Sequence, residues 1–337
     1  MFFTYLKSQN ISPPSTAAET IRDIHLASVT RNMRLLHELE KILRAFRTEG
    51  ITAVPLKGAW LAEAVYGNIA LRWMADVDLW VQRRKLDAAR QIMHSLGYSS
   101  RPKTDRPQAL QDALAGETQM FKKGSPMVEL HWNVFSGEWL RHTARIDEQV
   151  IWQRTLPHNG ENVRQLSPED AVIHICVHLA VNHQMSMPGL RTLLDLDCAC
   201  QRLNIDWGTV AERARAWRVS TATWLVLRML TEIFGDPEEK LPLQILRPSP
   251  LRCRILRRFI SPQKLVEGIK ISSGPKRFVF LLALVDKPDD AFYLIWRALM
   301  PDRTSLTLRY GLQDAPGWRI WLQRIWHPMR IALQRKI

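Results

Sequence analysis

The stretch from Val54 to Val81 constrains this chain more than any other. Val54-Pro-Leu-Lys-Gly58 is an apolar run that ends on a basic residue and a glycine, and Asp76-Val-Asp-Leu-Trp-Val81 alternates carboxylates with large apolar side chains. Side chains along a strand point alternately to opposite faces, so Val77, Leu79 and Val81 turn to a core while Asp76 and Asp78 share the other face. Two carboxylates held side by side repel each other unless a cation lies between them. Hard oxygen ligands of this kind suit Mg²⁺, or Mn²⁺ in its place, usually shared with substrate phosphates. The alternation therefore predicts a divalent-metal site on a strand.

The residues ahead of that strand predict a neighbour for the site. Residues 51–56 read as a buried strand, Lys57-Gly58 as a tight turn, and residues 59–65 as a helix that stops at Gly67-Asn68. A helix N-terminus reached through a residue without a Cβ offers free N–H groups to an anion, and Lys57 adds positive charge there. The same pair is equally an ordinary strand-to-helix turn.

Upstream, Ile21, Ile24, Ala27, Met33, Leu36, Leu39, Ile42, Leu43 and Phe46 stand at helical spacing and predict one long helix or two, ending near Gly50. Downstream, residues 84–96 form an amphipathic helix ended by Gly97, a short strand begins at Tyr98, and residues 101–117 are a polar loop or a loosely held helix at the rim of the site. Residues 119–122 and 127–135 are two strands joined by the turn Lys123-Gly-Ser-Pro126. In the second of these, Glu129 and His131 share the face opposite Val128, Leu130 and Trp132.

From about residue 146 the alternation gives way to helical spacing, so three regions are expected: a sheet domain over 1–145, a helical domain over 146–240 and a basic, mostly helical region over 241–337. Ser167-Pro168, with Asp170 three residues past the cap, starts a helix. On it His174 and His178 share a face, but Ile175 occupies the place of the zinc-protease glutamate, which favours core or polar-contact histidines over a metal pair. Over residues 189–202, Arg191 and Asp195 lie four apart; they pair across one helical turn or face the site from the helical region.

Charge is uneven. Residues 251–337 hold 17 Lys and Arg against 6 Asp and Glu, which is +11 of the formal net charge of +14. Such a segment meets an anionic partner (nucleic acid, phospholipid or an acidic substrate) or is simply a solvated basic surface. Near its end Trp318, Trp321 and Trp326 interleave with Arg319, Arg324 and His327. That helix docks its tryptophans on the helical domain, with Pro328 breaking the pattern, or lies on a membrane surface.

The 337 residues, 46% apolar and 24% charged, suit a folded chain with sizeable cores. Cys176, Cys198, Cys200 and Cys253 are too few and too irregular for a disulfide framework or a Cys-x-x-Cys zinc site, so reduced thiols in a cytosol are expected. The first residues lack a leader pattern, and the longest strongly apolar run, 278–285, is too short to span a bilayer. A cytoplasmic location follows as the expectation.

Leu56-Lys-Gly58, Tyr66-Gly-Asn68, Leu71-Arg72, Met74, Asp76-Val-Asp-Leu79, Leu96-Gly-Tyr98 and Glu129-Leu-His-Trp132 resemble the uncharacterised bacterial nucleotidyltransferases of the DNA polymerase beta-like superfamily. Looser likenesses continue through Leu166-Ser-Pro-Glu-Asp170, His178, Arg191, Leu194-Asp195, Pro301 and Arg309-Tyr310, so the resemblance covers most of the chain. It implies an α+β fold: a small mixed sheet flanked by helices, plus a mostly helical C-terminal part. It also implies Asp76, Asp78 and Glu129 as catalytic carboxylates and metal ligands, Glu129 coming from a neighbouring strand.

The implied cofactor is Mg²⁺ or Mn²⁺, and the implied substrate an NTP such as ATP, bound by Lys57, Gly58 and Arg72 with Arg191 and Asp195 reaching in from the helical region. The superfamily usually carries Gly-Gly or Gly-Ser before its acidic pair, whereas this chain has Lys57-Gly58-Ala59. That substitution shifts the triphosphate grip toward Lys57, and Arg72 holds either phosphate or Asp76. The implied reaction is two-metal transfer of an NMP group to a hydroxyl or phosphate acceptor, with release of pyrophosphate. The acceptor is a small molecule, a peptide or a protein; no RNA-recognition motif supports nucleic acid. The alternative is a non-catalytic nucleotide- or anion-binding module, membrane-peripheral through the Trp-rich C-terminus.

Overall fold

The computed structural model describes residues 14–101, 116–158, 162–235, 240–269, 271, 274–313 and 315–333. Most of the polar stretch between residues 101 and 117 therefore lies outside the described residues. The chain opens with α1 (Ser15–Thr48), β1 (Ala53–Leu56), α2 (Lys57–Ala64), β2 (Asp76–Val81), α3 (Leu86–Ser95) and β3 (Ser99–Arg101), followed by β4 (Glu117–Phe121) and β5 (Met127–His131). These strands form one mixed sheet in the order β1-β2-β5-β4-β3. Only β2 and β5 run parallel. Parallel neighbours need a long crossover, and α3, β3 and β4 supply it.

Period two decides what each face of the sheet does. Val77, Leu79 and Val81 of β2, Met120 of β4, and Val128 and Leu130 of β5 pack on Leu35, Leu39, Ile42 and Phe46 of α1 and on Leu86, Ala89 and Met93 of α3. The four α1 positions recur every three or four residues, which makes one stripe of a helix. Each large side chain buried in this way is worth about 1.5–3 kcal/mol of transfer free energy. The stripe stops at Asn32. Ile24, Leu26 and Met33 are exposed, so the apolar positions of the first half of α1 add nothing to this core.

The remainder is helical: α4 (Glu138–Thr143), α5 (Glu148–Arg154), a two-stranded ribbon of β6 (Leu156–Pro157) and β7 (Arg164–Gln165), α6 (Pro168–Val177), a π-helical turn (His178–Asn182), α7 (Gly189–Arg202), α8 (Trp207–Ala216) and α9 (Ser220–Phe234). After these come α10 (Leu243–Leu246), α11 (Pro250–Phe259), α12 (Pro262–Glu267), α13 (Gly274–Leu284), α14 (Pro288–Leu299), α15 (Arg303–Tyr310) and α16 (Gly317–Leu333). The Ser167 hydroxyl accepts the Asp170 N–H at 3.3 Å and so caps α6 as its sequence predicts. Asp206 caps α8 in the same manner, and Gly235 closes α9 in the left-handed conformation. Trp60, Trp80 and Phe135 carry the second core from the sheet into α6, α7 and α9.

The last helix corrects an expectation. It continues through Pro328, and Trp318, Trp321 and Trp326 do not dock; they are exposed. A proline inside a helix loses one backbone hydrogen bond and crowds the carbonyl four residues back, which destabilises a helix without always ending it. The helix is held instead by the opposite side: Ile320 and His327 are buried, and Arg324 Nε donates to the Pro301 carbonyl at 3.0 Å.

Candidate active site

The alternation that buries Val77 and Leu79 turns a polar set the other way. In the parallel pair, Asp78 is level with Glu129 and Trp80 with His131. In the antiparallel pair, Gln119 faces Glu129 and Glu117 faces His131. Asp78 Oδ1 accepts the Lys57 ammonium at 2.8 Å and lies 3.0 Å from His131 Nε2. Glu129 Oε1 accepts from Gln119 Nε2 at 2.8 Å, while its other oxygen is 3.8 Å from His131 Nε2. His131 Nδ1 is 3.2 Å from a Glu117 oxygen, out of hydrogen-bond alignment.

Asp78, Glu129 and His131 are all buried and form the compact group of ligand atoms among the described residues, each within 4.8 Å of the others. Asp76, two residues back on β2 and half-buried, stands outside that group. Of the three carboxylates expected to share a metal, the structure thus draws Asp78 and Glu129 tightest and adds His131 to them.

Electrostatics separate the two aspartates. Burial pushes Asp76 up to about 6, helped by repulsion from Asp78 and Glu129 and opposed by Lys57 and Arg72. Burial would raise Asp78 too, but the Lys57 charge and the bond from His131 outweigh it and hold that carboxyl well below the usual range. Lys57 is correspondingly raised: burial favours its neutral form, yet Asp78, Glu129 and Glu117 win.

Lys57 reaches Asp78 from an unusual backbone. Its φ of +47° lies in the left-handed region, which costs a side chain with a Cβ about 1 kcal/mol. Gly58 answers to space: a Cβ there would stand 2.6 Å from Arg72 Nη1 and 3.2 Å from Met74 Cγ. The loop that crowds it is held by α1. Arg31 donates to the carbonyls of Met74 and Ala75, and the Asn32 side chain bonds the Arg72 carbonyl at 2.7 Å and the Met74 N–H at 3.2 Å.

The helical region completes the site. Asp195 on α7 takes both Nε and Nη2 of Arg72, at 3.1 and 2.7 Å, and the Tyr66 hydroxyl at 2.8 Å. Both members of this ion pair are buried. Asp195 therefore pairs with Arg72 across 123 residues rather than with Arg191 one turn away. Arg191 stacks on Trp73 at 5.3 Å, with Arg31 over the same ring at 4.9 Å. Its Nε is buried without a hydrogen-bond partner among the described residues. His174 is a buried core histidine edge-on to Phe135, pushed down to about 3 by burial and by the charges of Lys57 and His131. Burial lowers His178 and His183 as well.

All eight residues picked from the sequence, Lys57, Gly58, Arg72, Asp76, Asp78, Glu129, Arg191 and Asp195, line one cleft of about 740 Å³. The rest of its basic lining was not legible: Arg277 from α13, Arg297 from α14, Arg309 from α15 and His327 from α16. Only the basic excess of the C-terminal quarter, and the likeness at Arg309-Tyr310, hinted at it. His131 did carry a signal, since alternation places it beside Glu129.

The profile of the family described as uncharacterised nucleotidyltransferases matches residues 1–235. The chain belongs to this family. The matched region holds all eight residues and ends before Arg277, Arg297 and Arg309, so these three arginines of the cleft lie outside it. It places this chain among enzymes that transfer nucleotidyl groups, for which an NTP and a divalent metal are the general requirements. No curated protein gives a match.

Among solved structures, the antibiotic-resistance factor ANT(2'')-Ia is similar at 16% identity and a TM-score of 0.35, over 56% of this chain and 91% of its own. A nucleotidyltransferase-like antigen from Paracoccidioides brasiliensis gives 16% and 0.35, over 64% and 92%. A tRNA nucleotidyltransferase, in complex with a primer tRNA and an ATP analogue, gives 13% and 0.21, over 87% and 96%. Likenesses of this degree carry no inference about what this nucleotidyltransferase acts on.

Proposed function

We propose that this nucleotidyltransferase moves the NMP group of an NTP to a hydroxyl or phosphate oxygen of an anionic acceptor, with Mg²⁺ or Mn²⁺ bound by Asp76, Asp78 and Glu129. The observation that carries the reading is that Asp76, Asp78 and Glu129 line one cleft together with Lys57, Arg191, Arg277, Arg297 and Arg309. The donor set fits such a metal. Its ligands are hard oxygens, and Asp76, raised first by burial and further by repulsion from Asp78 and Glu129, is a carboxyl whose ionised form a cation would favour. When bound, the metal supplies charge neutralisation at the attacking and leaving oxygens of an in-line displacement.

The chain's own residues do the rest. Lys57 and His131 keep Asp78 ionised. Gly58 leaves room for the Arg72 guanidinium and the Met74 side chain beside the strand-to-helix junction, and Arg191, whose Nε has no hydrogen-bond partner among the described residues, offers hydrogen bonds to phosphate oxygens. Arg72 and Asp195 line the cleft but satisfy each other, so their part is to fix its shape. Arg277 and Arg309 face the acceptor. In the reaction the acceptor oxygen bonds the α-phosphorus, the α-phosphorus–bridging-oxygen bond breaks, and pyrophosphate leaves. A hydroxyl acceptor passes its proton to a carboxylate of the site, whereas an ionised phosphate oxygen attacks without losing one.

Pyrophosphate release by purified protein with each NTP, Mg²⁺ or Mn²⁺ and a panel of anionic acceptors is the direct test. Asp78→Asn is expected to lower turnover by about a hundredfold or more, the size of losing one electrostatic element of a phosphoryl-transfer site. Turnover equal to wild type in that variant would sink the proposal. Metal-dependent NTP binding with no pyrophosphate from any acceptor would favour a non-catalytic binding module.

A further inference from the structure

The helices that wall the cleft carry an aromatic surface on their other side. Along α16, Trp318, Trp321, Leu322, Ile325 and Met329 recur at i, i+3, i+4, i+7 and i+11, the spacing of one helix face. That face points to solvent: Trp318 is 64% exposed, Trp321 59% and, on its flank, Trp326 50%. Beside it, α14 repeats the pattern with Phe292, Ile295, Trp296 and Leu299, of which Phe292 is 69% and Trp296 53% exposed. The two helices pack against each other. Their inner sides are occupied otherwise, since Leu294 and Arg297 of α14 and His327 of α16 line the cleft.

A ridge of this kind is unusual on a monomer, where a large exposed apolar patch marks a binding surface. Its charge says what it binds. From Gly317 to Leu333, α16 contains Arg319, Arg324 and Arg330 and no carboxylate. Arg319 and Arg330 are exposed on the helix that carries the tryptophans. An isologous dimer through this face would set the basic helix against its own copy, bringing like charges together. Tryptophan belongs at the level of lipid headgroups, and arginine beside it meets lipid phosphates. No helix among the described residues is long and apolar enough to cross a membrane, so the arrangement is one for lying on a bilayer.

We propose that the α14–α16 face seats this protein on an anionic lipid surface, with Trp318, Trp321, Trp326, Phe292 and Trp296 at the headgroup level and Arg319 and Arg330 on lipid phosphates. The proposal stands apart from the catalytic reading, because no residue of the ridge belongs to the carboxylate floor.

The test is sedimentation of the full chain with phosphatidylcholine vesicles made with and without phosphatidylglycerol. Binding is expected to the anionic vesicles at low ionic strength and to fall about tenfold or more on neutral vesicles or in high salt. The triple change Trp318→Ser, Trp321→Ser, Trp326→Ser is expected to lower partitioning at least about tenfold, and the pair Arg319→Glu, Arg330→Glu likewise. Both sets lie on exposed positions, so circular dichroism and melting should match wild type; Asp78→Asn should bind vesicles normally. Three results overturn the proposal: no binding of wild type to anionic vesicles at low salt, unchanged binding by the folded tryptophan variant, or a dimer in sedimentation velocity that only the tryptophan changes dissolve.

Discussion

Glu148, half-buried, and His174, buried, have opposite consequences for stability. Both Glu148 oxygens accept the Val134 N–H, at 3.1 and 3.0 Å, yet burial still pushes its carboxyl up to about 7. A folded pKa above the unfolded one makes its contribution largest below about 4.5, and that contribution is lost as pH rises through 7. His174, pushed down to about 3, contributes in the other sense: its share is complete above about 6.5 and is lost as pH falls. In the wild type the two slopes partly cancel between pH 5 and 6.5. Comparing urea unfolding at pH 7.5 and pH 5, Glu148→Gln should enlarge the acid loss and His174→Gln should shrink it, each by about 2 kcal/mol. Identical pH differences in all three proteins would refute both assignments. Neither behaviour could be read from sequence, because desolvation depends on what packs around a side chain and not on its neighbours in the chain.

At the scale of elements, the contact that matters most joins the loop before β2 to α7. Arg72 and Asp195 are both buried, and Tyr66 adds a third bond. Removing one member of a buried pair leaves a charge unpaired and costs about 3–5 kcal/mol, whereas replacing both by apolar groups is often nearly neutral. Asp195→Asn should therefore lose stability on that scale in denaturant titration, and Arg72→Leu with Asp195→Leu should recover much of it. A single variant within about 0.5 kcal/mol of wild type, the ordinary range for surface changes, would show that the pair contributes little. Helical spacing allowed Arg191 as a partner of Asp195; a bidentate guanidinium arriving from another element gives two bonds at once, and that geometry prevails.

For the whole molecule, the distribution of charge around the cleft becomes the question. Arg191 on α7 lies within the family's region and Arg309 on α15 beyond it, and both line the cleft. If the first serves the triphosphate and the second the acceptor, calorimetry with an NTP and Mg²⁺ will separate them. Arg191→Ala should weaken NTP binding about tenfold, the value of one charge-assisted hydrogen bond, and Arg309→Ala by less than about twofold. Equal losses would show that the two arginines do not divide the work in this way.

Period two and the Lys57-Gly58 turn were enough to determine β1, α2 and β2 and the shared face of Asp76 and Asp78, because a strand's side-chain direction is a local property of its backbone. The hairpin β4–β5 and the side on which Glu129 and His131 stand were likewise written in the sequence. Only the tertiary structure decided that β5 lies parallel to β2 with Glu129 level with Asp78, that Asp195 answers Arg72, and that arginines from α13, α14 and α15 close the cleft. It also turned the tryptophans of α16 outward, where amphipathic spacing alone allowed either side of the choice. Register between strands and the facing of helices are set by burial summed over contacts far apart in the chain, so no local pattern contains them.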